Sequence, residues 1–280
     1  MLSQEINMTI NCKGKLIDVT TPKVMGILNL TPDSFYDGGK YKNESEIVSQ
    51  VETMLKNGAT FIDIGAYSSR PNATHISEAE ELQRLLPIIT LLIEEFPEIT
   101  ISIDTFRSEV AKQAIQAGAA LINDISAGKL DENMLQTVAN LQVPYIMMHM
   151  KGTPQNMKAQ ANYNNIMKEL LFYFSERINE AKKLGIKDII VDPGFGFAKN
   201  TAQNFEVLKH LELLKILEFP ILAGVSRKSM IYKTLENTAQ EALNGTTVLN
   251  TIALQKGATI LRVHDVKEAT ETIKLTDQLN

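Results

Sequence analysis

KNGATFIDIG (residues 56–65) ends a helical stretch on a glycine and opens an apolar run, and the chain repeats this punctuation three more times. The repeats are QAGAALINDI (116–125), KLGIKDIIVD (183–192) and QKGATILRVH (255–264). A glycine just past a helix supplies a left-handed cap, and the β-branched residues after it begin a strand. Working outward, apolar runs lie at 23–30, 60–67, 99–105, 121–126, 144–149, 188–193, 220–226 and 258–264. Most are near-continuous, as strands covered on both faces should be. Helical periodicity fills 44–57, 77–96, 107–117, 131–140, 164–184, 201–217, 238–256 and 266–278. In the first of these, Ile47, Val51, Met54 and Leu55 recur at helical spacing behind Asn43 and Glu46. The second opens on Ser77 and Glu80, carries Pro87 inside it as a candidate kink, and stops at Pro97. Strand–helix alternation repeated eight times predicts an α/β fold, the (β/α)8 TIM barrel, with a doubly wound open sheet as the runner-up. MTINCKGKLIDVT (8–20) stands apart, with two short β-like pieces around Lys13 and Gly14. Residues 1–20 are therefore expected to form an N-terminal β-hairpin packed on a single domain spanning 1–280.

Composition narrows the function. The 280 residues are 44% hydrophobic and 22% charged, an ordinary globular balance. A formal net charge of −5 gives no basic excess for a nucleic-acid partner. Cys12 is the one cysteine, which excludes an intrachain disulfide framework and fits a reducing compartment. No apolar run approaches the ~20 residues of a membrane span, and the polar start is no signal peptide. The expectation is a cytoplasmic protein.

Each strand run ends in a polar side chain: Asn29, Asp63, Asp104, Asn123, His149, Asp192, the trio Ser226-Arg227-Lys228, and Arg262 with His264. In a barrel these ends meet at the face that carries active sites. Carboxylates, amides and Lys228 suit a heterocycle edge with N–H donors and a carbonyl. Arg262 and His264, two apart on one strand, share a face and with Asn29 suit a phosphate-like anion. The four histidines are far apart, which disfavours zinc; magnesium, which needs few protein oxygens, is compatible. His149 reads equally as a core histidine. His75 and His210 read as surface residues, and Cys12 as an inert thiol.

At these residues the sequence resembles the dihydropteroate synthase family over essentially its whole length. NLTPDSFYDGG (29–39) is similar to the family's first loop and DIGAYSSRP (63–71) to its second. ISIDT (101–105), INDIS (122–126), MHMKGTP (148–154), DPGFGF (192–197), GVSRKS (224–229) and RVHD (262–265) follow in the family's order. The resemblance implies condensation of 6-hydroxymethyl-7,8-dihydropterin diphosphate with p-aminobenzoate, giving 7,8-dihydropteroate and diphosphate in folate synthesis. It implies that Asp104, Asn123, Asp192 and Lys228 hold the pterin. Asn29, Arg262 and His264 would hold the diphosphate, with Asn29 beside Mg2+. Ser69, Arg70, Pro71, Phe197, Lys228 and Ser229 would meet p-aminobenzoate. Asp33 and Phe35 on the first loop, with Arg70 and Lys228, would serve catalysis, and Asp63 would be a supporting carboxylate. The resemblance further implies a homodimer and a sulfonamide target. Three positions depart from the family pattern: Tyr67 where some members carry Glu, Ser69 for Thr, and Ala198 for Gly. Two rival readings are a methyltetrahydrofolate-dependent methyltransferase, which needs no diphosphate pocket, and a catalytically silent pterin-binding protein.

Overall fold

The computed structural model describes residues 8–30, 44–68 and 75–279. Two short antiparallel strands, β1 (Thr9–Cys12) and β2 (Lys15–Asp18), form the expected hairpin. Lys13 and Gly14 both hold positive φ (54° and 85°), as a two-residue turn matched to the strand twist requires. The turn is anchored when Lys13 Nζ donates to the Gly118 carbonyl at 3.0 Å.

Eight parallel strands follow: β3 (Lys23–Asn29), β4 (Phe61–Gly65), β5 (Ile101–Asp104), β6 (Leu121–Asp124), β7 (Tyr145–Met148), β8 (Ile189–Asp192), β9 (Leu222–Ala223) and β10 (Ile260–Val263). Their order is β8-β7-β6-β5-β4-β3-β10-β9, and a bridge between Val191 and Ile221 joins β8 to β9 and closes the ring. The outer layer is α1 (Glu44–Lys56), α2 (Glu78–Glu95), α3 (Ser108–Gln116), α4 (Met134–Leu141), α5 (Ile166–Lys183), α6 (Thr201–Lys209), α7 (Ser229–Thr234), α8 (Leu243–Gln255) and α9 (Val266–Asp277). This is the TIM barrel, not the open sheet. Helix α2 runs through Pro87 without ending.

Three expectations need correction. The helix expected over 201–217 is α6 followed by a 3-10 segment, Leu211–Leu217, after His210 leaves helical geometry. The helix expected over 238–256 begins at Leu243, and α7 was not anticipated because six residues are too few to display a period. The strand expected over 220–226 shrinks to Leu222–Ala223.

The barrel interior explains where polar side chains go. Met25, Phe61, Leu121, Ile146, Ile190, Leu222 and Ile260 pack in one apolar cluster with Ile10, Cys12, Ile17 and Val19 of the hairpin segment. That cluster plugs the end of the barrel where the strands begin. Side chains alternate along a strand, so the residue two places on also faces inward. Two places beyond Phe61, Leu121, Ile190 and Ile260 stand Asp63, Asn123, Asp192 and Arg262. Burying a Val, Leu or Ile side chain is worth roughly 1.5–3 kcal/mol, so the plug fixes the register that aims this polar layer at the opposite mouth.

Candidate active site

Arg262 organises the mouth. Its Nε donates to Asp63 Oδ2 at 2.6 Å and its Nη2 to Asp104 Oδ2 at 2.7 Å. Asp63 is fully buried, and its Oδ2 also accepts from Asn123 Nδ2 at 3.0 Å. Asn123 lies opposite Asp104 in the β5–β6 register. Four interior-facing side chains from β4, β5, β6 and β10 are thus one hydrogen-bonded group. Burial works against the Arg262 charge, but Asp63 and Asp104 outweigh it and hold the guanidinium above its ordinary pKa. Burial pushes the Asp104 carboxyl up to about 7, with Arg262 opposing and Asp63 adding. Gly65 makes room for Asp104, since a Cβ there would lie 3.3 Å from Asp104 Cβ.

Across the mouth, Lys228 precedes α7 and donates to the Phe195 carbonyl. Its Nζ lies 5.0 Å from the centre of the Phe197 ring. Burial pushes the ammonium down to about 8, with Asp192 pulling the other way. Asp192 itself is raised by burial, opposed chiefly by Lys228, and its Oδ1 accepts the Gly194 N–H at 2.7 Å. Gly224 lies between the two cationic side chains, for its missing Cβ would fall 3.8 Å from Lys228 Nζ and 3.9 Å from Arg262 Cβ.

The remaining expected residues divide. Asn29 ends β3, beside β10 with Arg262. His264 is exposed, and its Nδ1 lies 3.1 Å from Ser226 Oγ. Ser229 opens α7 next to Lys228. Asp33, Phe35, Ser69, Arg70 and Pro71 lie outside the described residues.

Other polar residues prove architectural. Arg227 of the strand-end trio grips both carboxylate oxygens of Asp265 at 2.8 Å and donates to the Ala239 carbonyl. Asp124, also on β6, faces away from Asn123 and accepts from the N–H groups of Ser126 and Gly128 and from the Tyr145 hydroxyl. His149 is buried in edge contact with Tyr173, and burial holds its imidazole well below the usual pKa. Cys12 is buried, which pushes its thiol up to about 12 and leaves it inert.

Sequence reasoning missed a buried pair at the root of the second loop. Arg107 donates to Glu81 at 2.5 Å and to the Ile76 carbonyl at 2.7 Å, while Thr105 Oγ1 donates to Glu81 at 2.8 Å. The signal was present, because Glu81 continues the buried stripe of Leu85, Ile89 and Leu92 on α2. A carboxylate on an apolar face needs a partner. His75, expected at the surface, is exposed, and its Nδ1 lies 3.2 Å from the Tyr67 hydroxyl.

The comparisons with known proteins agree with this geometry. A family model described as pterin binding enzyme matches residues 25–264. The dihydropteroate synthase of Haemophilus influenzae is 41% identical over 270 residues, covering 96% of this chain and 98% of its own. That of Synechocystis is 44% identical over 259 residues, covering 91% and 89%. The Yersinia pestis dihydropteroate synthase in a sulfonamide drug complex superposes with a TM-score of 0.92 at 39% identity, covering 97% of this chain and 99% of that one. The Xanthomonas albilineans dihydropteroate synthase with 4-aminobenzoic acid gives 0.90 at 36% identity, covering 98% of each chain.

Proposed function

The chain belongs to the pterin-binding enzyme family, among the dihydropteroate synthases, and from that premise we propose how its barrel mouth divides the work. The enzyme is a transferase that joins 6-hydroxymethyl-7,8-dihydropterin diphosphate to p-aminobenzoate, releasing diphosphate and 7,8-dihydropteroate. The observation that carries the assignment of roles is the inward-facing layer around Arg262. Asp104, Asn123 and Asp192 belong to that inward-facing polar layer, where the N–H donors and carbonyl of a pterin edge would find hydrogen-bond partners. Lys228 offers an ammonium to the pterin carbonyl from one side. From the other, with Ser229 and the Phe197 ring, it meets the p-aminobenzoate. Asn29 and Arg262 sit on the neighbouring strands β3 and β10, with His264 just past the end of β10, a span suited to the diphosphate. By resemblance, Ser69, Arg70 and Pro71 would meet the p-aminobenzoate, and Asp33 and Phe35 would serve catalysis.

Magnesium fits the donor set. Among the described residues no three His, Cys, Asp or Glu side chains group to cage an ion, and no other described residue is seen to engage the Asn29 side chain. The Asn29 side-chain oxygen and the substrate's own phosphates would leave room for the waters that complete the octahedral oxygen shell of Mg2+. When bound, the ion would neutralise charge growing on the departing diphosphate. An uncharged aromatic amine has a free lone pair, so no strong general base is required. A leaving-group-led, SN1-like path follows, with the electron-rich pterin carrying the positive charge.

The enzyme is proposed to act as a cytoplasmic homodimer. A single cysteine, with no partner for an intrachain disulfide, fits a reducing compartment. The homodimer rests on the resemblance to the family. The test of the activity is direct. Purified protein with both substrates and magnesium is expected to form dihydropteroate, and a sulfonamide is expected to raise the apparent KM for p-aminobenzoate. Absence of product rejects the reading.

A further inference from the structure

Lys199 is a buried ammonium with no ion-pair partner among the described residues. Only 8% of its surface is exposed. Its Nζ donates to the Gly194 carbonyl at 3.0 Å and the Phe197 carbonyl at 3.0 Å, and faces His149 Nδ1 at 3.1 Å. Burial pushes its pKa down to about 7, with Asp192 opposing and the charges of Lys228 and Lys151 adding to the fall. Hiding an ammonium this way is costly, and a methionine would fill the space without that cost. The reason to keep it lies in what it holds.

The chain from 193 to 198 turns through three left-handed residues, Gly194 (φ 69°), Gly196 (φ 83°) and Ala198 (φ 48°), which throw successive carbonyls in different directions. Two of those carbonyls converge on Lys199 Nζ, while that of Phe195 goes to Lys228. Gly194 is gripped at both ends of its backbone, its N–H by Asp192 Oδ1 and its carbonyl by Lys199. The hydrogen-bond count closes in either protonation state. An ammonium has three N–H donors for the two carbonyls and His149 Nδ1. A neutral amine has two donors for the carbonyls and a lone pair that accepts from His149 in its other tautomer.

We propose that Lys199 is a positioning residue for the reaction, fixing the 193–198 turn so that the Asp192 carboxylate and the Phe197 ring face the same mouth as Lys228. This rests on the assignment of Asp192 to the pterin and Phe197 to p-aminobenzoate.

The experiment is calorimetric titration of wild type and Lys199→Met with 6-hydroxymethylpterin, alongside thermal unfolding and a double-mutant cycle with Asp192→Asn. Lys199→Met keeps the stem and removes the donors. Its Kd for the pterin is expected to rise about tenfold, the effect of hydrogen bonds from a charged donor, while the unfolding midpoint moves by no more than about 4 °C. The cycle is expected to be less than additive, because Lys199 acts through Asp192. An unchanged Kd overturns the proposal, and so do additive losses accompanied by a large fall in the unfolding midpoint. Should Lys199→Met not fold, Lys199→Gln, which keeps a donor, is measured in the same way and judged by the same outcomes. Failure of wild type to bind the probe counts against the family's pterin assignment and not against Lys199.

Discussion

Arg262 is the side chain whose role changes most between sequence and structure. Read along the chain, it belongs with His264 and Asn29 to the anion pocket, and its loss should spare a pterin that lacks phosphate. In the fold it also bonds to Asp63 and Asp104, residues 199 and 158 positions away. Spacing along the chain carries no trace of such a pairing. Removing one partner of a buried ion pair leaves an uncompensated charge, at a cost of about 3–5 kcal/mol. The Arg262 guanidinium also lowers the Asp104 pKa, so without it Asp104 holds its proton to higher pH and loses an acceptor at neutrality. Arg262→Ala is therefore expected to weaken binding of unphosphorylated 6-hydroxymethylpterin at least tenfold at pH 7, as well as binding of diphosphate. Calorimetry with the two ligands separately checks this. A loss confined to diphosphate would mean that Asp104 does not depend on its partner.

At the scale of elements, the strands were legible and the connections after β8 less so. Every barrel strand announced itself by an apolar run ending in a polar side chain. Asp63, Asn123 and Asp192 were readable for that reason. Asp124 was a trap, since alternation sends it to the other face, where it ties down 126–128. The short α7 and the 3-10 segment were illegible because neither is long enough to display a period. The 192–197 motif, by contrast, has a backbone cause for each glycine that matters. Gly194 has φ of 69°, and a Cβ there would meet the His149 backbone oxygen at 2.2 Å. Gly194→Ala is expected to destabilise the protein by about 1–3 kcal/mol from backbone strain alone and to displace Asp192. Urea unfolding and pterin titration together measure both effects, and a variant with wild-type stability and affinity would show that the turn yields freely.

For the whole molecule, the barrel supplies two unlike ends. The hairpin and the apolar layer seal one, and the closed ring gathers carboxylates, amides and two cations at the other. Charges so enclosed are preorganised and need little rearrangement as charge develops during reaction. The proposed arrangement puts Arg262 where a diphosphate leaves and acceptors around the pterin, with no described residue placed to deprotonate the amine. That asymmetry is the central claim: the enzyme works on the leaving group, and the nucleophile captures what remains. The measurement that tests it is the α-secondary deuterium isotope effect at the pterin methylene, taken under single-turnover conditions where chemistry limits the rate. A clearly normal effect is predicted, as the carbon flattens before the amine arrives; a value indistinguishable from unity would mean direct displacement and contradict the account.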